Sequence, residues 1–239
     1  MPASLPAIEV VEELGSTNTE LMERLARGVT PIERLPLWLR AERQTAGRGR
    51  QGRAWQSKPG NLAASLAIRL SAPPDRVHQL SMVAGLAVHD CVSAFLGGTA
   101  ARVALKWPND VLVDGSKISG ILCETTSVPG SIRVAIIGIG INLAHHPDTL
   151  DRPTTSIAAI AGAAPAPDTA LDHLSRALML RLAQWDDGQG FATTRHAWLA
   201  IGHAMGEPLT VHRNAPNEGA TGPLTGRFAG LDADGALLL

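Results

Sequence analysis

The 239-residue sequence contains no apolar run that approaches the roughly 20 residues needed to span a bilayer. Its first residues, MPASLPAIEVVEE, lack a basic segment followed by an apolar one, which excludes the pattern of a signal peptide. Only two cysteines occur, Cys91 and Cys123, and both lie in apolar stretches without metal-binding or redox spacing. We therefore expect a cytoplasmic protein in which both cysteines are packed core thiols.

Net charge is also nearly absent. The formal value is −1, so no global field draws the chain to nucleic acid or to a membrane. The basic residues are nonetheless unevenly placed, because no acidic residue occurs from Arg43 to Pro74. That segment holds several basic residues: Arg43, Arg48, Arg50, Arg53, Lys58 and Arg69. A local positive segment indicates an anionic ligand, with a merely solvated loop as the alternative.

Lysine is scarce, since only Lys58, Lys106 and Lys117 occur among the 21 basic residues. Against this arginine-rich background, the lysines are interpreted as positions that need a compact ammonium. Hydrophobic residues make up 45% of the chain, enough for a buried core. The length fits one main domain with a small appendage, and internal repeats are absent.

The segment QTAGRGRQGRAW contains Gly47, Gly49 and Gly52 at the G-x-G-x-x-G spacing of a dinucleotide site. Such a site needs a strand before the glycines and a helix after them. The strand is predicted, but Pro59 and Gly60 follow, so no helix N-terminus can receive a pyrophosphate. The interleaved arginines supply positive charge instead, and we predict a clamp that closes over a nucleotide or an acyl phosphate.

Hydrophobic periodicity predicts an alternation of strands and helices. Strands are predicted at 8–14, 36–43, 61–70, 102–107, 110–113, 117–125 and 131–143, and helices at 16–28, 73–96, 168–185 and 190–203. Strand 61–70 alternates in a way typical of a half-buried strand. Thr17 and Glu20 have capping-box spacing, and Asp114-Gly115 predicts a hairpin turn.

This order predicts an α+β domain, a mixed β-sheet with helices on one face, over residues 1–205. Residues 206–239 are rich in glycine, proline and short apolar runs, and they predict a small β-barrel-like domain. That domain ends abruptly on three leucines, so we expect a short, truncated domain in which a strand pair has lost its last member.

STN near the start, GRGRQGRAW, KWPNDVLV, KISGILCE and GIGINL together resemble the motifs of the biotin protein ligases, in that family's order and approximate spacing. The resemblance runs from Ser16 to Asn142. It implies a class II synthetase-like catalytic domain followed by an SH3-like barrel. It also implies an enzyme that makes biotinoyl-5′-AMP from biotin and ATP, releases pyrophosphate, and passes biotin to one lysine of a biotin carboxyl carrier protein.

The resemblance also implies roles for individual residues. Lys117 corresponds to the lysine that reaches both the biotin carboxylate and the phosphate, where a compact ammonium suits a point between two anions. Asp110 corresponds to the position proposed to accept a proton from the carrier lysine; bracing a turn or binding magnesium is its alternative. Trp55 matches an aromatic near the adenine, with a core tryptophan as the alternative.

The implied binding residues fall into two sets. The biotin side comprises Ser16, Thr17, Asn18, Gln44, Gly47, Arg48, Gly49, Arg50 and Lys117. The small hydroxyls and amides of this set match the two N–H donors and one carbonyl of a ureido ring. The nucleotide side comprises Arg50, Arg53, Trp55, Lys106, Asn109 and Asn142. Magnesium is expected with ATP, held mainly by phosphates rather than by a protein cage, and His145-His146 is interpreted as a loop feature.

Two other functions stay open on the sequence. One is a lipoate ligase or octanoyl transferase of similar fold, and the other is a non-catalytic biotin sensor. The chain begins almost directly on the first predicted strand, so no DNA-binding role is expected, and no membrane partner is expected either. A homodimer is compatible with the sequence.

Overall fold

The computed structural model describes residues 5–128, 130, 132–148, 152–211 and 222–239. The larger part is a seven-stranded sheet: β1 Ala7–Leu14, β2 Leu37–Gln44, β3 Leu62–Arg69, β4 Val103–Lys106, β5 Asp110–Val113, β6 Ser116–Val128 and β7 Ile132–Ile141. Its order is β1-β2-β3-β7-β6-β5-β4. Strands β1 and β2 are parallel and all other neighbours are antiparallel, so the predicted mixed sheet is confirmed.

The helices are α1 Thr17–Ala26, α2 Leu80–Leu96, α3 Ile157–Ala161, α4 Pro167–Trp185 and α5 Phe191–Ile201. The predicted helices correspond to α1, α2, α4 and α5, whereas α3 was not predicted. A 3₁₀ helix, Pro74–Gln79, leads into α2. The combined segment Pro74–Leu96 is long and apolar enough to cross a membrane, yet 67% of its most apolar window is buried inside the protein, as in a core helix.

The prediction that helices cover only one face of the sheet is wrong. Trp38, Leu66 and Ile137 point into one core together with residues of α2 and α4. Residues one position away, such as Leu37 and Ile136, form a second core with α1 on the opposite face. Since successive side chains of a strand alternate between faces, both faces of the central strands are covered.

The prediction of a half-buried strand at 61–70 is wrong for the same reason. Every residue from Leu62 to Ala67 is buried, because β3 lies in the middle of a sheet that is covered on both sides. Ala64 packs into the core with α2 and α4. Ala67, on the opposite face of β3, packs into the core beneath α1.

Two local features determine where site residues point. Asp114 and Gly115 have φ of 47° and 80°, as the predicted two-residue hairpin requires. Further along the same hairpin, Val111 pairs with Ser119 but Leu112 pairs with Lys117, so β6 carries one extra residue there. This β-bulge changes the phase of β6 and places Lys117 on the same side as Gly120.

The C-terminal region consists of short antiparallel pairs. Strand β8 Pro208–Val211 pairs with β9 Leu224–Arg227, and β10 Gly230–Leu231 pairs with β11 Leu237–Leu238. The turn between β10 and β11 lies against the main domain, where Trp107 Nε1 donates to the Gly235 carbonyl at 3.2 Å.

Both cysteines are free, Cys91 buried and Cys123 partly buried. Burial raises the pKa of both thiols to about 12. Neither thiol is therefore ionised near neutral pH, as expected for packed thiols.

Candidate active site

The floor of the candidate site consists of glycines on the central strands. Gly138 and Gly140 alternate along β7 with isoleucines that point into the core. A Cβ on Gly138 would collide with the amide of Asn18, and a Cβ on Gly140 would collide with the Trp55 ring. Side chains of the site therefore lie directly on the sheet, on the face that carries α1.

One end of the site is a chain of neutral polar groups near the start of α1. The backbone N–H and the side-chain hydroxyl of Thr17 both donate to Gln44 Oε1, at 2.8 and 3.1 Å. Ser65 Oγ lies 2.6 Å from both Thr17 Oγ1 and Asn18 Oδ1. Ser16, Thr17 and Asn18 are at most 7% exposed. We call Ser16, Thr17, Asn18, Gln44 and Ser65 the head-group end.

The capping box predicted for Thr17 is wrong. Ser16 is the N-cap residue and no side chain caps the helix. The first free N–H of α1 is satisfied by the side chain of Gln44 from β2 instead. The Thr17 hydroxyl is thus directed into the site rather than along its own helix.

At the centre of the site, Lys117 Nζ pairs with Asp110 Oδ1. Arg152 Nη1 lies 3.4 Å from the other oxygen of the same carboxylate. The Lys117 and Asp110 side chains are only 9% and 14% exposed. Burial lowers the pKa of Lys117; Asp110 opposes this shift, and the nearby Arg152 and Arg53 add to it.

The backbone around Lys117 is fixed by the segment after β7. Lys117 donates its N–H to the Pro153 carbonyl and accepts from Thr155, at 2.9 and 3.0 Å. The Asn142 side chain donates to the Thr155 carbonyl at 2.9 Å. Because of these bonds, Arg152 is held next to the Asp110–Lys117 pair.

Residues 48–54 form a small hairpin over the other end of the site, and we call it the arginine loop. Gly49 N donates to the Arg53 carbonyl at 2.7 Å. The turn uses positive φ at Gln51 and Gly52, 59° and 70°. Glycine is well suited to the second of these positions. Arg50 Nη1 lies 3.2 Å from Asn109 Oδ1, so the loop contacts the end of the KWPND segment.

Arg48 reaches back from the loop to the sheet. Its Nη2 donates to both oxygens of Glu124, at 2.8 and 3.1 Å. Trp55 follows the loop, and Lys117 Nζ lies 5.8 Å from the centroid of its ring. The loop thus brings the cations Arg48, Arg50 and Arg53 to the pocket lining.

Most of the residues predicted from the sequence line one pocket: Ser16, Thr17, Asn18, Gln44, Arg48, Gly49, Arg50, Arg53, Trp55, Asn109, Asp110 and Lys117. Gly47 is not part of the pocket lining but packs against Trp55, since a Cβ on Gly47 would come within 2.5 Å of the Trp55 carbonyl oxygen. The pocket lining does not include Lys106, which is exposed, or Asn142, which is buried.

The sequence reasoning missed several residues that lie in or beside the pocket: Ser65, Gly120, Glu124, Gly138, Gly140 and Arg152. The glycine alternation in GIGI was a usable signal, because glycine at every second position of a buried strand indicates a face that something else occupies. Ser65 is the one polar residue within the buried run of β3. Arg152 gives no local signal, since only the fold brings it to Asp110.

Comparison with known proteins identifies the family of this chain. Residues 34–142 match the model of the Biotin/lipoate A/B protein ligase family. The chain is 39% identical over 229 residues to a biotin–[acetyl-CoA-carboxylase] ligase of Paracoccus denitrificans, a match that covers 94% of this chain and 90% of the relative. The chain therefore belongs to the biotin protein ligases.

Solved structures support the same assignment. A biotin protein ligase from Aquifex aeolicus in complex with biotin and ATP superposes with a TM-score of 0.77 at 27% identity, over 98% of this chain and 91% of that one. A Leishmania major biotin protein ligase in complex with biotinyl-5-AMP gives a TM-score of 0.66 at 26% identity, over 90% and 93%.

Proposed function

We propose that this chain is an ATP-dependent biotin ligase that forms biotinoyl-5′-AMP and transfers biotin to a lysine of a carboxylase carrier protein. The observation that carries the proposal is the position of Lys117. A buried ammonium lies on the glycine floor, in one pocket with the neutral head-group end and the arginine loop. Such a pocket suits a ligand with a neutral polar ring at one end and anions at the other.

In the first step, a carboxylate oxygen of biotin attacks the α-phosphorus of ATP, and the bond to the β-phosphate oxygen breaks to release pyrophosphate. Both reactants are anionic, so their repulsion has to be offset by preorganised positive charge. Lys117 is proposed to stand between the two, with Arg48, Arg50 and Arg53 on the phosphate chain. Burial lowers the pKa of the ammonium, and the Asp110 carboxylate that lies against it opposes this shift.

At the head-group end, biotin would meet hydroxyl and amide groups held in fixed orientations. Gln44 Oε1 is already occupied by Thr17, which leaves the Gln44 amide N–H groups as donors. The Ser65 and Thr17 oxygens retain lone pairs that can accept N–H groups. Donors for one carbonyl and acceptors for two N–H groups are the complement of a ureido ring.

In the second step, a neutral lysine amine of the carrier attacks the carbonyl carbon, the bond to the phosphate oxygen breaks, and AMP leaves. A free lysine has a pKa of about 10.4, so it arrives protonated. We propose that Asp110 accepts this proton once Lys117 is drawn to the adenylate phosphate. The alternative that Asp110 only positions Lys117 is supported by the ion pair between them.

ATP is expected as the magnesium complex, and the phosphates would supply most of the metal ligands. Asp110 is the carboxylate of the pocket lining that could approach such an ion. Trp55 and Asn109 are proposed to contact the nucleotide. Lys106 and Asn142 lie outside the pocket lining. Lys106 is proposed to contribute positive charge near the mouth of the pocket. Asn142 is proposed to support the segment 153–155 through its hydrogen bond to the Thr155 carbonyl.

We further propose a domain boundary between residues 205 and 206 and an SH3-like barrel for 206–239. The antiparallel pairs β8–β9 and β10–β11 support a small β domain. Residues 212–221, which belong to it, lie outside the described residues. Homodimer formation, a cytoplasmic location and the lack of DNA and membrane partners stay predictions from the sequence.

Biotin-dependent release of pyrophosphate from ATP, followed by transfer to a carrier domain, tests the function. Lipoate and octanoate in parallel test the rival ligases, and product formation with either acid but not with biotin would overturn the proposal. A protein that binds biotin without releasing pyrophosphate would be a sensor. The presence of Lys117 in the pocket favours catalysis over sensing.

A further inference from the structure

Glu124 lies on β6 opposite Ile136, and it contacts both ends of the candidate site. Its Oε2 accepts from Asn18 Nδ2 at 2.8 Å and from Arg48 Nη2 at 2.8 Å. One carboxylate oxygen therefore joins the head-group end to the arginine loop. The Glu124 side chain is 23% exposed, so it is partly shielded from solvent.

The bond to Asn18 determines which way that amide faces. Asn18 Nδ2 also donates to the Leu122 carbonyl at 3.1 Å. A carbonyl and an ionised carboxylate can only accept, so both amide hydrogens are used and the Asn18 oxygen must face Ser65. Without the carboxylate, only the Leu122 carbonyl would hold the amide in this orientation, through one of its two N–H groups.

The orientation of the Asn18 amide in turn determines where the Ser65 hydroxyl donates its hydrogen. Ser65 has a single hydroxyl hydrogen and lies 2.6 Å from both Asn18 Oδ1 and Thr17 Oγ1. Because Asn18 Oδ1 can only accept, Ser65 donates its hydrogen to it. The Thr17 hydroxyl donates to Gln44 Oε1, so the lone pairs of Ser65 are left for a ligand. The carboxylate on the other side of Asn18 thus stabilises the pattern of donors and acceptors at the head-group end.

We propose that Glu124 is a positioning residue of the biotin ligase reaction, which fixes the Asn18 amide for head-group recognition and holds Arg48 over the pocket of the empty protein. The inference rests on the proposed function. Glu124 contacts no reacting atom in it and acts through Asn18 and Arg48. Since both partners share one oxygen, the head-group end and the arginine loop are coupled through this side chain.

An ordinary surface ion pair would not have this effect, because exposed pairs contribute little. Glu13 provides the matched control. It pairs with Arg43 at 3.1 Å, both side chains are at least half exposed, and neither lines the pocket. Both substitutions remove one carboxylate charge. Glu124→Gln removes it from the network shared by Asn18 and Arg48, whereas Glu13→Gln removes it from an isolated ion pair.

The test measures biotin binding by calorimetry and tryptic cleavage of the empty protein after Arg48. Glu124→Gln should weaken biotin binding about tenfold or more, as expected when a charged hydrogen-bonded network is lost. It should also speed cleavage after Arg48, whereas Glu13→Gln should match the wild type in both measurements. Wild-type biotin affinity in a folded Glu124→Gln protein would overturn the proposal.

A double-mutant cycle between Arg48→Gln and Asn18→Ala separates positioning from a general loss of structure. Coupling through Glu124 predicts that the two substitutions reduce biotin affinity non-additively, and this measurement also serves if Glu124→Gln does not fold. Additive effects would contradict the coupling. Failure of the wild type and of Glu13→Gln to bind biotin would instead overturn the proposed function.

Discussion

The two ends of the candidate site are built on different principles. The head-group end is buried and neutral, and its side chains bond to one another across α1, β2 and β3. The arginine loop is exposed and carries three cations on a glycine-rich hairpin. Of these, Arg48 and Arg50 are held by single partners, Glu124 and Asn109. The head-group end is preorganised by the fold, whereas the arginine loop is expected to become ordered when an anion binds.

Lys117 lies between these two ends, and its removal should have the largest effect. Lys117→Ala removes the buried ammonium that offsets two negative reactants, so we expect adenylate formation to fall by about 10²–10³-fold. The fold should survive, since loss of the ammonium leaves Asp110 paired with Arg152. Pyrophosphate release measures the loss, circular dichroism is the control for folding, and a folded variant with wild-type activity would contradict the role.

Asp110→Asn separates the two steps of the reaction. As a proton acceptor, Asp110 should matter more for transfer than for activation, and we expect the rate of transfer to fall by about 10²-fold, the low end of what general-base assistance contributes. Pyrophosphate exchange reports activation, and transfer from preformed biotinoyl-AMP to a carrier domain reports the second step. Equal losses in both steps would leave Asp110 as a support for Lys117 only.

A methyl group on the floor tests the preorganised end alone. Gly138→Ala would force a Cβ into the Asn18 amide, which the network holds in place. We expect biotin binding to weaken about tenfold and the free energy of unfolding to fall by about 1–3 kcal/mol. Gly97→Ala is the control, because a Cβ there meets only ordinary contacts. A Gly138→Ala protein with unchanged biotin affinity would show that the floor is not used.

The arginine loop should change with ligand while the head-group end does not. We predict that the segment Thr45–Gln56 is tethered at Arg48 by Glu124 but otherwise mobile when empty, and that it becomes ordered with biotinoyl-AMP. Glycine entropy and cation repulsion oppose closure until a phosphate joins the arginines. Biotin with ATP should slow tryptic cleavage after Arg48, Arg50 and Arg53 several-fold. Equal cleavage with and without ligand would argue against closure.

The smallest effect concerns pH. Burial lowers the pKa of Lys117, and the nearby charge of Arg152 lowers it further. Activation needs the protonated ammonium, so activity should be lost as pH rises through this lowered pKa. Arg152→Gln removes one of the lowering charges and should move the alkaline limb of the pyrophosphate-exchange profile to higher pH. A limb that moves to lower pH, or does not move, would contradict this account.

Sequence patterns were most informative where the relevant signal is local. The position of each main strand and helix followed from periodicity, and the Asp114-Gly115 turn followed from its residue types. The motifs also marked most of the pocket lining, since resemblance to a family carries residue identities in chain order. The local reading failed at Thr17, whose partner Gln44 lies 27 residues away.

The amino-acid sequence by itself determined the class of protein, the order of elements and the residue types that suit an acyl-adenylate chemistry. Only the tertiary structure decided which face of the sheet carries the site. Only the fold brought Arg152 to Asp110 and Glu124 to Arg48, residues 42 and 76 positions apart. The physical reason is that periodicity and motifs report the short-range preferences of the chain, whereas pairing register, a one-residue bulge and burial on both faces depend on contacts between distant segments.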